Sequence, residues 1–227
     1  NSYEEIDYVK AKMFPLFAER FEKRGYVLLG FAEAGFVYLF SRQRIDTAER
    51  LRQTKMWVWK GDRVAESFLD AFGVQAYPLQ LADVNIGLET GMIDSFYSPV
   101  LASVAFQWYA KVSYMLDYPM VNATGALLMS RRAFSDLAPQ HQAIVSRLTR
   151  KYCAQLVRDT RRDSAEAMEV LAESGIERLL PGPEQVASFQ QSAQKNYQLS
   201  VPSIYSRELF DHIQGLIAEY RQAQKGD

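Results

Sequence analysis

A domain of the α/β class on a mostly parallel sheet is what this sequence predicts, and three observations carry the prediction. Short apolar runs of strand length alternate with helical stretches of about ten residues from Tyr26 to Pro99, the order expected of strands joined by helical crossovers. Glycines stand where helices should stop, at Gly25, Gly73 and Gly91. A helical pattern that opens at Pro139 stays unbroken to Ser174, roughly 50 Å of helix, enough to tie two lobes together.

Each element follows from its own residues. Ser2-Tyr3-Glu4-Glu5 has the form of a capping box, so a helix is expected at once. Tyr3, Ile6, Met13, Leu16 and Phe17 keep helical spacing, with Pro15 predicting a kink. Tyr26 to Gly30 and Phe36 to Phe40 read as two strands around Glu33-Ala34-Gly35. A polar helix over 46–53, a strand from Met56 to Trp59 and a helix from Arg63 to Phe72 come next. Then follow a strand from Gln75 to Pro78, a helix from Asp83 to Glu89 and a strand from Ser95 to Pro99. Leu101 to Tyr109, Val112 to Leu116 and Ala126 to Met129 continue the alternation. Beyond the long helix, Ile176 to Leu180 reads as a strand, Pro181-Gly182-Pro183 as a turn, and helices run to about Asn196 and from Ser206 onward. No internal repeat or low-complexity linker interrupts the pattern.

Composition removes several function classes. The 227 residues are 48% hydrophobic and 23% charged, the balance of a globular protein with one large domain or two small lobes. A net charge of −1 gives no field that would draw a nucleic acid or an anionic membrane. One cysteine, Cys153, excludes an internal disulfide and a cysteine-rich metal site, and its place mid-helix reads as a packed thiol. His141 and His212 stand without a second ligand at metal spacing. Neither glycine-rich phosphate loop is present, and Gly-x-Ser-x-Gly is absent. Arg147, Arg150, Lys151, Arg158, Arg161 and Arg162 make the long helix basic, but Ile144, Leu148, Tyr152 and Leu156 hold one apolar stripe on it, the pattern of an amphipathic helix with a solvated charged face. No catalytic residue, metal or cofactor is predicted.

What remains is an aromatic and polar concentration in the middle of the chain. Trp57 and Trp59 lie two apart in a short strand and so share one face, with Met56 and Val58 on the other. Each aromatic alone would be core in most proteins. These two, however, precede Lys60-Gly61-Asp62 at a strand's carboxyl end, and Phe96, Tyr97 and Ser98 precede Pro99 at another. Open parallel sheets bind ligands outside those ends, so an aromatic-walled pocket is expected there.

The same residues resemble a family. Residues 47–100 are similar to the second lobe of the periplasmic solute-binding subunits of TRAP transporters, the DctP type, through Lys55, Phe72-Gly73, Pro78, Asp83-Val84, Leu88, Thr90-Gly91, Asp94 and Ser98-Pro99 in that order. Ala126 to Val145 resembles the family's strand, short helix and Leu-Pro entry into its long helix, and the likeness covers nearly the whole chain. It implies a two-lobed fold of the type II periplasmic binding protein kind, with a ligand cleft and a long helix joining the lobes. Lobe one would be 1–36 with 124–163 and lobe two 37–123 with 164–227. Family members carry roughly a hundred residues before the first helix seen here, so the N-terminal lobe would be incomplete. Unpaired strand edges would then favour a homo-oligomer.

By resemblance the protein is periplasmic, is no enzyme, captures a small molecule and delivers it to a TRAP membrane permease. Trp57 and Trp59 would form the wall, Tyr97 and Ser98 the polar floor, with Phe36, Glu33 and Tyr118 facing them across the cleft. Two departures bear on the ligand. The family's carboxylate-clamping arginine would fall at Trp57, and its Gly-Phe-Arg is Gly35-Phe36-Val37 here. Neither Trp nor Val offers a carboxylate the fixed fork of donors of a guanidinium. The expected ligand is therefore apolar or amphipathic; the alternative is an organic acid held by another cation. An organic cation ranks lower, with only Glu33 and Asp62 as counter-charges. Two further alternatives are an α/β enzyme using Glu33 or Asp94 as acid or base and a protein-interaction module.

Overall fold

Ser2 starts the first helix as its motif predicts, its side chain accepting from the Glu5 N–H at 3.3 Å. The computed structural model describes residues 2–224, the Leu199 side chain excepted. In chain order the elements are α1 (Tyr3–Glu22), β1 (Tyr26–Ser41), α2 (Ala48–Arg52), β2 (Lys55–Trp59), α3 (Arg63–Phe72) and β3 (Gln75–Leu79). Next come α4 (Val84–Thr90), β4 (Ser95–Pro99), α5 (Val100–Ala105), β5 (Tyr114–Ser130), α6 (Arg131–Ser135) and α7 (Pro139–Glu173). The chain then closes with β6 (Glu177–Leu179), α8 (Pro183–Ser200) and α9 (Arg207–Ala223). The strands form one mixed sheet in the order β3-β2-β4-β1-β5-β6.

Contacts divide the chain into two units, the first being Asn1–Glu33, Thr124–Asp159 and Tyr205–Asp227, the second Ala34–Ala123 and Thr160–Ile204. In the first unit α1 covers β1, with the Phe31 ring edge-on to Phe14 at 5.5 Å and to Phe17 at 6.0 Å. Pro15 sits within α1, which continues through it as one helix. On another side of β1, Gly30 lies against α7 so closely that a Cβ there would stand 2.8 Å from Cys153 Sγ. Cys153 is accordingly the buried thiol its helical context predicts, and burial pushes its pKa up. The C-terminal helix corrects the expected division. The resemblance places α9 in the second lobe, but it packs on α1, where Arg221 grips Glu5 with two bonds of 2.6 and 3.0 Å and Tyr220 meets Tyr8 at 5.4 Å.

The second unit is built around β2. It pairs in parallel with β3 on one side and with β4 on the other, and both of its faces are covered. Trp57 joins Phe40, Phe96, Trp108, Leu88 and Leu171 in one core, while Met56 and Val58 join Leu39, Leu69, Phe72 and Phe189 in the other. β1 runs antiparallel to β4, with Tyr38 opposite Ser98 and Phe40 opposite Phe96, whose rings stack at 4.9 Å.

Two expectations about strands are corrected. Residues 26–41 are one strand and not two, because Gly35 keeps the extended ladder going at φ +100°, a region other residues seldom enter. Ala126 to Met129 is likewise the end of the 17-residue β5. Of the stretch from Leu101 to Tyr109, the first half is helix α5 and Trp108–Lys111 is a 3-10 turn. The third correction concerns α7: Ile144, Tyr152 and Leu156, three positions of its apolar stripe, are exposed. The buried residues of α7 are Cys153, Thr160, Ala167 and Leu171, and the last two belong to the second unit's core.

Candidate functional site at the carboxyl ends of β2 and β4

β2 ends at Trp59, and the chain turns through Lys60 and Gly61 into α3, whose N-cap is Asp62. One carboxylate oxygen of Asp62 accepts from the Ala65 N–H at 3.0 Å, which holds the helix start. The other accepts from the Tyr97 hydroxyl at 2.8 Å, and that hydroxyl accepts in turn from the Trp59 backbone N–H at 3.2 Å. Tyr97 on β4 therefore ties the end of β2 to the start of α3. Burial pushes the Tyr97 pKa well above its ordinary value, and the Asp62 carboxylate adds to that against the opposing Trp59 N–H. The hydroxyl stays neutral throughout the physiological range.

The two tryptophans share a face of β2, as alternation predicts, but differ in fate. Trp57 is 3% exposed, donates its indole N–H to the Leu79 carbonyl at 3.2 Å, and lies 5.4 Å from the Tyr97 ring and 5.3 Å from that of Trp108. Trp59 is 50% exposed. Trp57 is thus core and Trp59 is surface. The structure brings Trp57, Trp59 and Tyr97 together in one corner. By register and alternation Phe36, half-buried, is on the same face of the sheet as Ser98 and Phe40.

The remaining predicted residues are engaged elsewhere. Ser98 is buried, with its hydroxyl donating to the Pro99 carbonyl at 2.9 Å. Tyr118 packs in the second core, 5.8 Å from the Phe189 ring. Glu33 belongs to the first unit, buried and ion-paired to Lys10 at 2.8 Å. Neither Glu33 nor Asp62 is the spare counter-charge that the sequence suggests. Asp94 accepts from the Lys55 N–H at 2.8 Å and lies 2.9 Å from Ser95 Oγ, so it fixes the amino end of β2. Sequence reasoning missed the Asp62–Tyr97 link; the Gly-Asp signature announces a helix cap, but nothing local announces a tyrosine 35 residues on. Among the described residues no group of His, Cys, Asp or Glu is placed to hold a metal ion, and no helix is long and apolar enough to cross a membrane.

Over residues 8–203 the chain matches the DctP family, described as bacterial extracellular solute-binding protein, family 7. The chain belongs to this family. Membership makes it a bacterial extracellular solute-binding protein, a transport component and no enzyme. Solved structures carry the same fold. A TRAP periplasmic solute-binding protein of Xanthobacter autotrophicus with bound β-D-galacturonate is 20% identical, with a TM-score of 0.85 over 96% of this chain and 71% of that one. One from Ralstonia eutropha, with bound (S)-2-acetolactate, is 19% identical with a TM-score of 0.88 and the same coverage of both chains. An extracytoplasmic solute receptor of Bordetella pertussis that binds pyroglutamic acid is 19% identical, with a TM-score of 0.84 over 97% of this chain and 71% of its own. Comparison with curated proteins finds no match.

Proposed function

We propose that this DctP-family protein captures a small apolar or amphipathic molecule at the carboxyl ends of β2 and β4 and delivers it to a TRAP membrane permease. Trp59 supplies the wall and the Tyr97 hydroxyl the polar contact, with Trp57 stacked in support and Phe36 adding apolar surface. Ser98, Tyr118 and Glu33, assigned to the same site from the sequence, are left out of it: Ser98 bonds the Pro99 carbonyl, Tyr118 packs on Phe189, and Glu33 pairs with Lys10 in the first unit. The observation that carries this reading is the polarity of the corner. Its hydrogen-bonded groups are a carboxylate, Asp62, and a neutral phenol, Tyr97, with the exposed cations Lys60 and Arg63 on the turn beside them, and the position that the family resemblance assigns to a clamping arginine is a buried tryptophan bonded to a backbone carbonyl. The fixed fork of a guanidinium is thus missing from that position, whereas apolar burial at roughly 25 cal/mol per Å² needs no ion pair.

The second reading, an organic acid held by another cation, is favoured by the acids bound to the three solved relatives. Fluorescence titration with hexanamide and hexanoate separates the two. Saturable quenching by the amide, lost in Trp59→Phe, is the expected result. Preference for hexanoate overturns the apolar reading and supports the acid.

A further inference from the structure

The corner at the carboxyl ends of β2 and β4 spends its buried donors internally and keeps acceptors in hand. Tyr97 has one hydroxyl proton, and it goes to Asp62 at 2.8 Å, while the same oxygen accepts from the Trp59 N–H. The Trp57 indole N–H goes to the Leu79 carbonyl and the Ser98 hydroxyl proton to that of Pro99. An ionised carboxylate, by contrast, has about four lone-pair sites and no donor. Asp62 uses one oxygen on the Ala65 N–H and the other on Tyr97, which leaves about two sites on a half-buried side chain. All of these bonds lie within the second unit. Charge at the corner is balanced as well. Over residues 60–66 the cations Lys60 and Arg63 stand against Asp62 and Glu66, and the Glu66 charge reaches Tyr97 as that of Asp62 does. Net charge there favours neither an anion nor a cation.

We propose that the solute is a neutral amphipathic molecule whose polar end donates hydrogen bonds, a primary amide or an alcohol, and that Asp62 receives them. This rests on the apolar or amphipathic site described above and names the chemical class that the site takes. Desolvation makes the choice. A ligand laid over Trp59 and Tyr97 displaces water from the spare acceptor sites of Asp62. An NH2 or OH end replaces that water, whereas a ketone or an ester leaves a charged acceptor dry and unpaired. A pocket built around a ligand's donor rejects the analogue without it for the same reason. The exposed donors of Trp59, Lys60 and Arg63 serve a carbonyl in either kind of ligand, so they do not discriminate.

The test is isothermal titration calorimetry of the unsubstituted chain with hexanamide and heptan-2-one, which share tail and carbonyl and differ only in NH2 against CH3. The ketone is the more apolar, so hydrophobic burial alone favours it. Hexanamide should nevertheless bind at least about tenfold more tightly. Asp62→Asn keeps a helix cap but turns a pure acceptor into a group that also donates, and the preference should shrink to about twofold or less. Tyr97→Phe leaves Asp62 in place, so it should weaken both ligands alike and keep their ratio. Circular dichroism checks that each variant folds, and the unsubstituted chain decides the ligand class without them. Equal binding, or preference for the ketone, overturns the proposal and leaves the apolar site standing. Binding of neither ligand overturns both. Hexylammonium bound more tightly than hexanamide overturns the neutral class. A preference that survives Asp62→Asn in full, or vanishes in Tyr97→Phe, overturns the assignment to Asp62.

Discussion

The two halves of α7 obey one hydrophobic period and end differently. In the second unit its Ala167 and Leu171 are buried in a core with Phe40, Trp57 and Phe96. In the first unit the stripe of Ile144, Tyr152 and Leu156 is exposed among the described residues, and the packed line is that of Thr149 and Cys153 against Gly30. The difference teaches that periodicity marks which side chains share a face, whereas burial depends on what the tertiary fold sets opposite that face. Trp57 and Trp59 repeat the lesson on a strand: one face, one residue type, 3% against 50% exposure.

The sharpest way to break the comparison is to truncate a leucine in each half. Leu171→Ala should cost about 3 kcal/mol of stability, and Leu156→Ala within about 0.5 kcal/mol of nothing, in chemical denaturation. Equal costs would mean that the outer stripe is covered. Gly30→Ala is next. Its new methyl would press on Cys153 Sγ, so a loss of about 1–3 kcal/mol is expected, smaller when Cys153→Ala is combined with it. No relief in the double variant would place the clash elsewhere.

A smaller effect sharpens the tryptophan pair. Tyr97→Phe keeps the ring beside Trp57 but removes the hydroxyl that links Trp59 to Asp62, for a loss of about 1 kcal/mol and a hexanamide affinity about fivefold lower. Asp62→Ser retains a helix cap but is too short to reach Tyr97, and it should behave alike and non-additively in the double-mutant cycle. The smallest effect lies in the first unit. Arg221 hydrogen-bonds Glu5 and holds its carboxyl below the ordinary glutamate range. A carboxyl with a depressed folded pKa adds stability above its unfolded pKa and loses it as pH falls through the folded one. The unsubstituted chain should therefore lose slightly more stability than Arg221→Gln on acidification below the ordinary glutamate value, a modest difference because Arg221 is half exposed.

Much of the architecture was legible along the chain. Arg63–Phe72, Ser95–Pro99 and the start of α7 at Pro139 fall where capping residues, glycines and β-rich runs place them, since such signals act within a turn or a strand. The long strand across Gly35 was not legible, because a glycine in a strand reads equally as a break or as a bulge. Of the site, the place of Trp59 and Tyr97 at strand ends could be read, but not which aromatic would be reached by solvent. Glu33 and Asp94 looked like free acids and are bound by Lys10 and by the Lys55 backbone, partners 23 and 39 residues away.

By itself the sequence determined the α/β class, most element boundaries and the family, because propensity, capping and ordered motifs are local properties of the chain. Only the tertiary structure decided that α9 returns to α1, that Trp57 is spent on packing, that Asp62 and Tyr97 lock one corner, and that Cys153 and not Tyr152 is the side of α7 that packs on Gly30. Each of these rests on contacts between segments distant in sequence, and burial is a property of such contacts and not of the residue alone.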